Sequence, residues 1–214
     1  MSAEGISIST AVSLVSLIVG FVLGLRPLQS FQNRGEMRLL RAVKARFAAP
    51  DYHLLNHLTL RFRNGTTQID HVLVSRFGVF VVETKDYSGW IFGNSGNRYW
   101  TQVLFRTKFK FQNPIRQNFR HVCAVRELLD FLPAESIFSI VVFAGKAVFQ
   151  TPVPEGVFYL PDFIAYLENK SAEVMSINRM QFCVGRLETA RLSVTKATDI
   201  EHIQQLRQRY GDRE

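Results

Sequence analysis

The stretch Gln68–Lys85, QIDHVLVSRFGVFVVETK, decides how the chain is read. Two apolar runs, Val72–Val74 and Val79–Val82, meet at a short Arg76-Phe77-Gly78 connection, which reads as two antiparallel strands and a tight turn. Their far ends carry Asp70 on one side and Glu83 and Lys85 on the other. Side chains alternate along a strand, so Glu83 and Lys85 share a face, with Val79 and Val81 behind them. Asp70 depends on register. A two-residue Arg76-Phe77 connection pairs Ser75 with Gly78 and sets Asp70 opposite Glu83. A three-residue loop with Gly78 left-handed slips the pairing by one, turns Asp70 away and brings His71 to Glu83. Two acids facing each other in a sheet repel, so the first register calls for a cation. Lys85 and a divalent metal held by carboxylate and carbonyl oxygens would meet that need. Without such a site the acids are solvated strand ends that discourage edge pairing.

Outward from this hairpin, 34–47 repeats Met37, Leu40, Val43 and Phe47 at helical spacing. Tyr52–Phe62 reads as a strand ending at the Asn64-Gly65 turn, and 87–106 as a second hairpin punctuated by glycines. Asn113-Pro114 opens a helix through Asp130 with Ile115, Phe119, Val122, Val125 and Leu129 on one face. Strands follow at 137–143 and 157–160, a helix begins at Pro161-Asp162, and the remainder reads as helical to 199–210. Strands clustered between helices make an α/β or α+β domain around a mixed sheet. The expected organisation is an anchor at 1–27, a core at 34–145 and a mostly helical extension at 146–214 packed on it.

The anchor rests on 6–25, ISISTAVSLVSLIVGFVLGL, twenty residues without a charge. At about 1.5 Å per residue a helix of this length spans a bilayer core of about 30 Å. It lacks the basic leader and cleavage site of a signal peptide, and its polar residues form no clear face. Arg26, Arg34, Arg38, Arg41, Lys44 and Arg46 follow it. The positive-inside rule then leaves the N-terminus outside and the rest in the cytoplasm, as a single-pass protein of a bacterial inner membrane. The net charge of +8 favours anionic partners, nucleic acid or anionic lipid. Arg98, Arg106, Lys108 and Lys110 are the expected backbone-binding residues. Tyr87, Trp90, Tyr99 and Trp100 read as core or cross-strand aromatics before base-stacking ones. The five histidines show no ligand spacing and read as packing residues, and two cysteines without a C-x-x-C pair exclude a zinc or disulfide framework. No Gly-Lys-Ser/Thr phosphate loop is present, which excludes a nucleotide-driven motor.

Gly35-Glu36, Gln68-Ile69-Asp70-His71, Gly78-Val79-Phe80, Glu83-Thr84-Lys85, Gly89, Trp100 and Asn113-Pro114 followed by Gln117 together resemble the nuclease-related domain, NERD, over Arg34 to Phe143. That domain is placed in the PD-(D/E)xK nuclease superfamily, whose core is a mixed sheet flanked by helices. The resemblance implies that Asp70 is the motif aspartate and Glu83-Thr84-Lys85 the acid-x-lysine element. It makes Glu36 the helical glutamate and Gln117 the glutamine of the following helix; Ile69 replaces the proline of the superfamily's name. It further implies magnesium or manganese bound by Asp70, Glu83, the Thr84 carbonyl and Glu36, with Lys85 positioning water and Gln117 orienting a ligand or phosphate. The expectation is a membrane-anchored metal-dependent nuclease acting on DNA ahead of RNA. The alternative is an anchored nucleic-acid-binding or scaffold module that cleaves little or nothing. With no helicase or zinc-finger segment, a protein partner would deliver substrate.

Overall fold

A computed structural model describes residues 34–192. Helix α1 occupies 34–46. It is followed by β1 (Tyr52–Phe62), β2 (Gly65–Ser75), β3 (Gly78–Lys85), β4 (Ser88–Phe92), β5 (Tyr99–Leu104), β6 (Thr107–Gln112) and α2 (Pro114–Leu128). The chain continues through β7 (Ile137–Phe143), β8 (Lys146–Phe149), β9 (Val157–Tyr159), α3 (Leu160–Glu168) and α4 (Ile177–Ala190). The span expected at 6–25 and the helix expected at 199–210 lie outside the described residues. Among the described residues no helix is long and apolar enough to cross a membrane.

The strands form two mixed sheets where one was expected, ordered β1-β2-β3-β7-β9 and β6-β5-β4-β8. All eight residues of β3 are buried, which is why Val79–Val82 is apolar without alternation, while Glu83, Thr84 and Lys85 are buried with it. It lies between antiparallel β2 and parallel β7. The register has Ser75 opposite Gly78 and His71 opposite Val82, the pairing of the two-residue connection; the one-residue slip does not occur. The parallel pairing of β3 with β7 matches Val79 to Ile137 and Lys85 to Phe143, and that of β4 with β8 matches Ser88 to Lys146. The offset is 58 throughout (137 − 79 = 146 − 88). Both strands therefore bend together at Asp86-Tyr87 and Ala144-Gly145 and carry one pairing from the first sheet into the second. Gly145 is required at that bend, because a Cβ there would lie 2.1 Å from the Tyr87 carbonyl oxygen.

One face of the large sheet packs Val72, Val74, Val79 and Val81 against α2 and α4; the other packs Leu73, Phe80 and Val82 against α1 and α3. Two helical faces differ from their periodicity. On α1, Leu39 is buried with Val43 and Phe47, while Met37 is exposed. On α2, Phe119 is exposed and Asn118 is inside. Its amide nitrogen donates to the Val81 and Ile140 carbonyls and the Ser139 hydroxyl, tying α2 to β3 and β7. A buried amide whose nitrogen bonds two main-chain carbonyls and the Ser139 hydroxyl takes the position facing the sheet in place of a phenyl ring. Asn118→Ala is expected to lower unfolding free energy by about 2–3 kcal/mol, since it strands buried carbonyls. Chemical denaturation reads this; a change within about 0.5 kcal/mol would show that Asn118 is not the clamp.

Candidate active site

Glu83 and Lys85 are both buried and both face α2. Lys85 Nζ donates to Glu83 Oε1 at 2.5 Å and to Gln117 Oε1 at 3.2 Å. One turn further along α2, His121 Nε2 lies 3.3 Å from Glu83 Oε2, and its Nδ1 pairs with the Thr67 hydroxyl at 2.7 Å. Residues four apart share a helix face, so the sequence already placed Gln117 and His121 together; reading every histidine as packing overlooked the second. Glu83 Oε2 is buried without an aligned hydrogen-bond donor.

Asp70 sits where two ladders are interrupted. The pairing of β2 with β3 ends at His71 and Val82. Beyond it the Thr84 N–H is bonded at 2.8 Å by Asp70 Oδ2. The pairing of β1 with β2 runs to Asn56 and His71 and resumes at Leu58 and Ile69. His57, with φ of +49°, and Asp70 fall in that gap. In both strands the inward phase changes across it, from Leu55 to Leu58 and from Val72 to Ile69. The carboxylate therefore replaces main-chain pairing at a fork between β2 and β3, and the fork opens the sheet at the site.

Glu36 reaches the fork from α1. Gly35 makes this possible: a Cβ there would lie 2.8 Å from Asp86 Cβ, so only glycine lets α1 approach the bend this closely. Arg38 fastens the approach, donating to Asp86 Oδ1 at 2.7 Å and the Ala144 carbonyl at 3.1 Å. Glu36 Oε2 lies 3.4 Å from His57 Nδ1, a second histidine that sequence reading set aside. A cleft of about 260 Å³ opens here, lined by Glu36, Met37, Leu40, Asn56, His57 and His71. His71 Nδ1 is 2.7 Å from Asn56 Oδ1.

The structure thus brings Glu36, Asp70, Glu83, Thr84, Lys85 and Gln117 into one neighbourhood, with three carboxylates in electrostatic reach of one another. Among the described residues no set of three His, Cys, Asp or Glu side chains is already drawn to ligating distance. Arg98 precedes β5, Arg106 lies in the turn after it, and Lys108 and Lys110 lie on β6, all exposed and on the second sheet. Of the aromatics, Trp100 is in the core, whereas Trp90 and Tyr99 are exposed.

The charges follow from these contacts. Burial first, then Glu83 and Glu36, raise the Asp70 carboxyl well above the usual range, against the opposing effects of Lys85 and the Thr84 N–H. Glu36 is raised by burial, with His57 opposing. Burial also disfavours ionised Glu83, yet Lys85 and His121 outweigh it and hold the group at about 2. For Lys85, burial is overcome by Glu83, and its pKa rises.

The family model of the nuclease-related domain matches residues 32–144. The chain belongs to the nuclease-related domain family. The PD-(D/E)xK superfamily is the wider setting of NERD proteins. An uncharacterized protein of Bacillus anthracis is 42% identical over 94 residues, covering 44% of this chain and 44% of its own. The match thus spans under half the length of that curated relative. No solved structure matches. The NERD match runs from just before α1 to just after β7, so it contains Glu36, Asp70, Glu83, Lys85 and Gln117.

Opposite stability effects are expected from the two central acids. Raised Asp70 contributes stability below its unfolded value of about 3.9 and loses it as pH rises through its folded value. Depressed Glu83 contributes above its unfolded value of about 4.3 and loses it as pH falls towards 2. In EDTA at pH 7, Asp70→Asn should therefore raise the Tm. Glu83→Gln should destabilise by about 3–5 kcal/mol, because Lys85 stays buried without its counter-charge. Thermal unfolding measures both, and shifts of the same sign would overturn this charge assignment.

Proposed function

We propose that this NERD protein is a divalent-metal-dependent nuclease that hydrolyses phosphodiester bonds, in DNA ahead of RNA, and is tethered to the membrane through 6–25 with its domain in the cytoplasm. One observation carries the nuclease reading: Glu36, Asp70 and Glu83 all lie within electrostatic reach of the buried Lys85 ammonium. The donor set fits a hard cation. It offers carboxylate oxygens with an excess of negative charge, and Glu83 Oε2 is a buried acceptor without an aligned donor. Asp70, Glu83 and the Thr84 carbonyl would hold the ion, with Glu36 joined through water. Bound there, magnesium or manganese supplies a water acidified near neutral pH and charge compensation at phosphorus.

The chain's own groups do the rest. Lys85 Nζ, kept in place by Glu83 and Gln117, orients the attacking water and offsets charge on the non-bridging oxygens. Glu83 stays ionised because Lys85 and His121 favour its charged form. His57, 3.4 Å from Glu36 Oε2, opposes the rise that burial imposes on the Glu36 carboxyl. The water oxygen bonds to phosphorus as its proton passes to solvent, the bond to the leaving oxygen breaks, and a proton from solvent passes to that oxygen.

The full-length chain in detergent, incubated with supercoiled plasmid and single-stranded DNA, should cleave in magnesium or manganese and not in EDTA. Lys85→Ala and Asp70→Asn should each cost at least about 100-fold in rate. Divalent ions should also raise the Tm of the parent chain and leave that of Asp70→Asn unmoved. Cleavage surviving both substitutions would refute this site, and a folded, DNA-binding, inert protein would establish the binding module instead. Protease added outside intact spheroplasts should spare the domain; its digestion would overturn the cytoplasmic placement.

A further inference from the structure

Among the described residues, the four-stranded sheet buries one face and leaves the other bare. Inside, Ile91, Trp100 and Ala147 pack with Val141 and Phe143. On the outer face the register aligns Val148, Trp90, Val103 and Lys108 in one row across β8, β4, β5 and β6. The next row holds Phe92, Thr101 and Lys110, and Tyr99 lies two residues beyond Thr101 on β5. Trp90 is 54% exposed, Tyr99 52% and Phe92 38%, whereas Trp100 on the inner face is 1% exposed. Lysines on β6 are explained by an edge strand that avoids pairing. Three exposed aromatic rings on β4 and β5, both interior to the sheet, are not; of these Tyr99 has the Arg98 guanidinium 5.4 Å from its ring centroid.

Charge says what suits the surface. From Tyr87 to Arg126, forty residues hold no Asp or Glu and seven Lys or Arg. Lys146 adds a further exposed cation on the outer face of β8. Trp90 and Phe92 stand about 6.6 Å apart, two strand residues at about 3.3 Å each, with cations on the neighbouring edge. We propose that this outer face is a platform for single-stranded nucleic acid, with Trp90, Phe92 and Tyr99 stacking on bases and Lys108 and Lys110 on the backbone. A duplex keeps its base faces stacked on one another and cannot offer them to such rings, so the platform selects unpaired strands. β4 starts three residues after Lys85 on the same strand course, which connects the platform to the candidate active site. The platform would thus define the substrate of the proposed nuclease, although its binding does not depend on cleavage.

The exposed Trp90 and buried Trp100 are the chain's two tryptophans, which makes intrinsic fluorescence a direct reporter. The full-length chain in detergent and EDTA would be titrated with oligo(dT), oligo(U), a blunt duplex and vesicles of anionic lipid. Quenching is expected with either oligonucleotide, at affinity well above that for duplex. Trp90→Ala and Tyr99→Ala should each weaken binding about 5- to 100-fold. Trp90→Phe should keep the affinity and lose the quenching, and Lys108→Ala should reduce the salt slope by about 0.7. Unchanged affinity in both alanine variants, equal binding of duplex, or binding of vesicles alone would overturn the platform. Because EDTA prevents metal-dependent cleavage, strand binding without later cleavage in magnesium would sink the nuclease and leave the platform standing.

Discussion

The ion pair between Lys85 and Glu83 is the constraint on which the rest is arranged. Both groups sit on the central strand of a sheet covered by helices on each face, where an isolated charge costs several kcal/mol. They are tolerated because each satisfies the other and because α2 sends Gln117 and His121 onto the same spot. That demand fixes the rotation of α2, and Asn118 secures it from the same helix. The rotation puts Phe119 on the surface, a cost in apolar burial accepted for the sake of polar satisfaction.

Around this pair the fold concentrates negative charge and relieves it incompletely. Asp70 ends the ladder between β2 and β3, and Glu36 arrives on a helix that only a glycine lets close enough. A site built this way is strained electrostatically before any ligand binds. The raised carboxyls of Asp70 and Glu36 express that strain, and the depressed one of Glu83 shows where it is already discharged.

Much of this was legible in the sequence, for identifiable reasons. β1 and β7 carry their strand patterns from end to end, and the short turn at Arg76-Phe77 left two registers, of which the structure has one. Clustered motif residues, read through the family resemblance, pointed to Glu36, Asp70, Glu83, Lys85 and Gln117, which the structure brings into one neighbourhood. Three things were not legible. The division into two sheets depends on the bend at Asp86-Tyr87, which has no periodic signature. The phase change at His57 and Asp70 needs a left-handed residue that is not glycine. The exposed aromatics of the second sheet look in sequence like core residues, because alternation does not say which face is covered.

The bend deserves a last consequence. Since β3 and β4 keep one offset against β7 and β8, the two sheets are a single ribbon with a crease, and the crease lies next to Lys85. The far side of it is tied to the near side by two strand crossings, by the packing of Ile91, Trp100 and Ala147 on Val141 and Phe143, and by the bonds that link the 94–97 loop to Asn113. The exposed turn at 105–106 can lengthen or change chemistry without touching the carboxylates on the near side, whereas the 93–98 loop is bound to the N-cap of α2. The two halves of the ribbon are thereby separable in descent: the exposed turn of one can vary while the carboxylates of the other are held still.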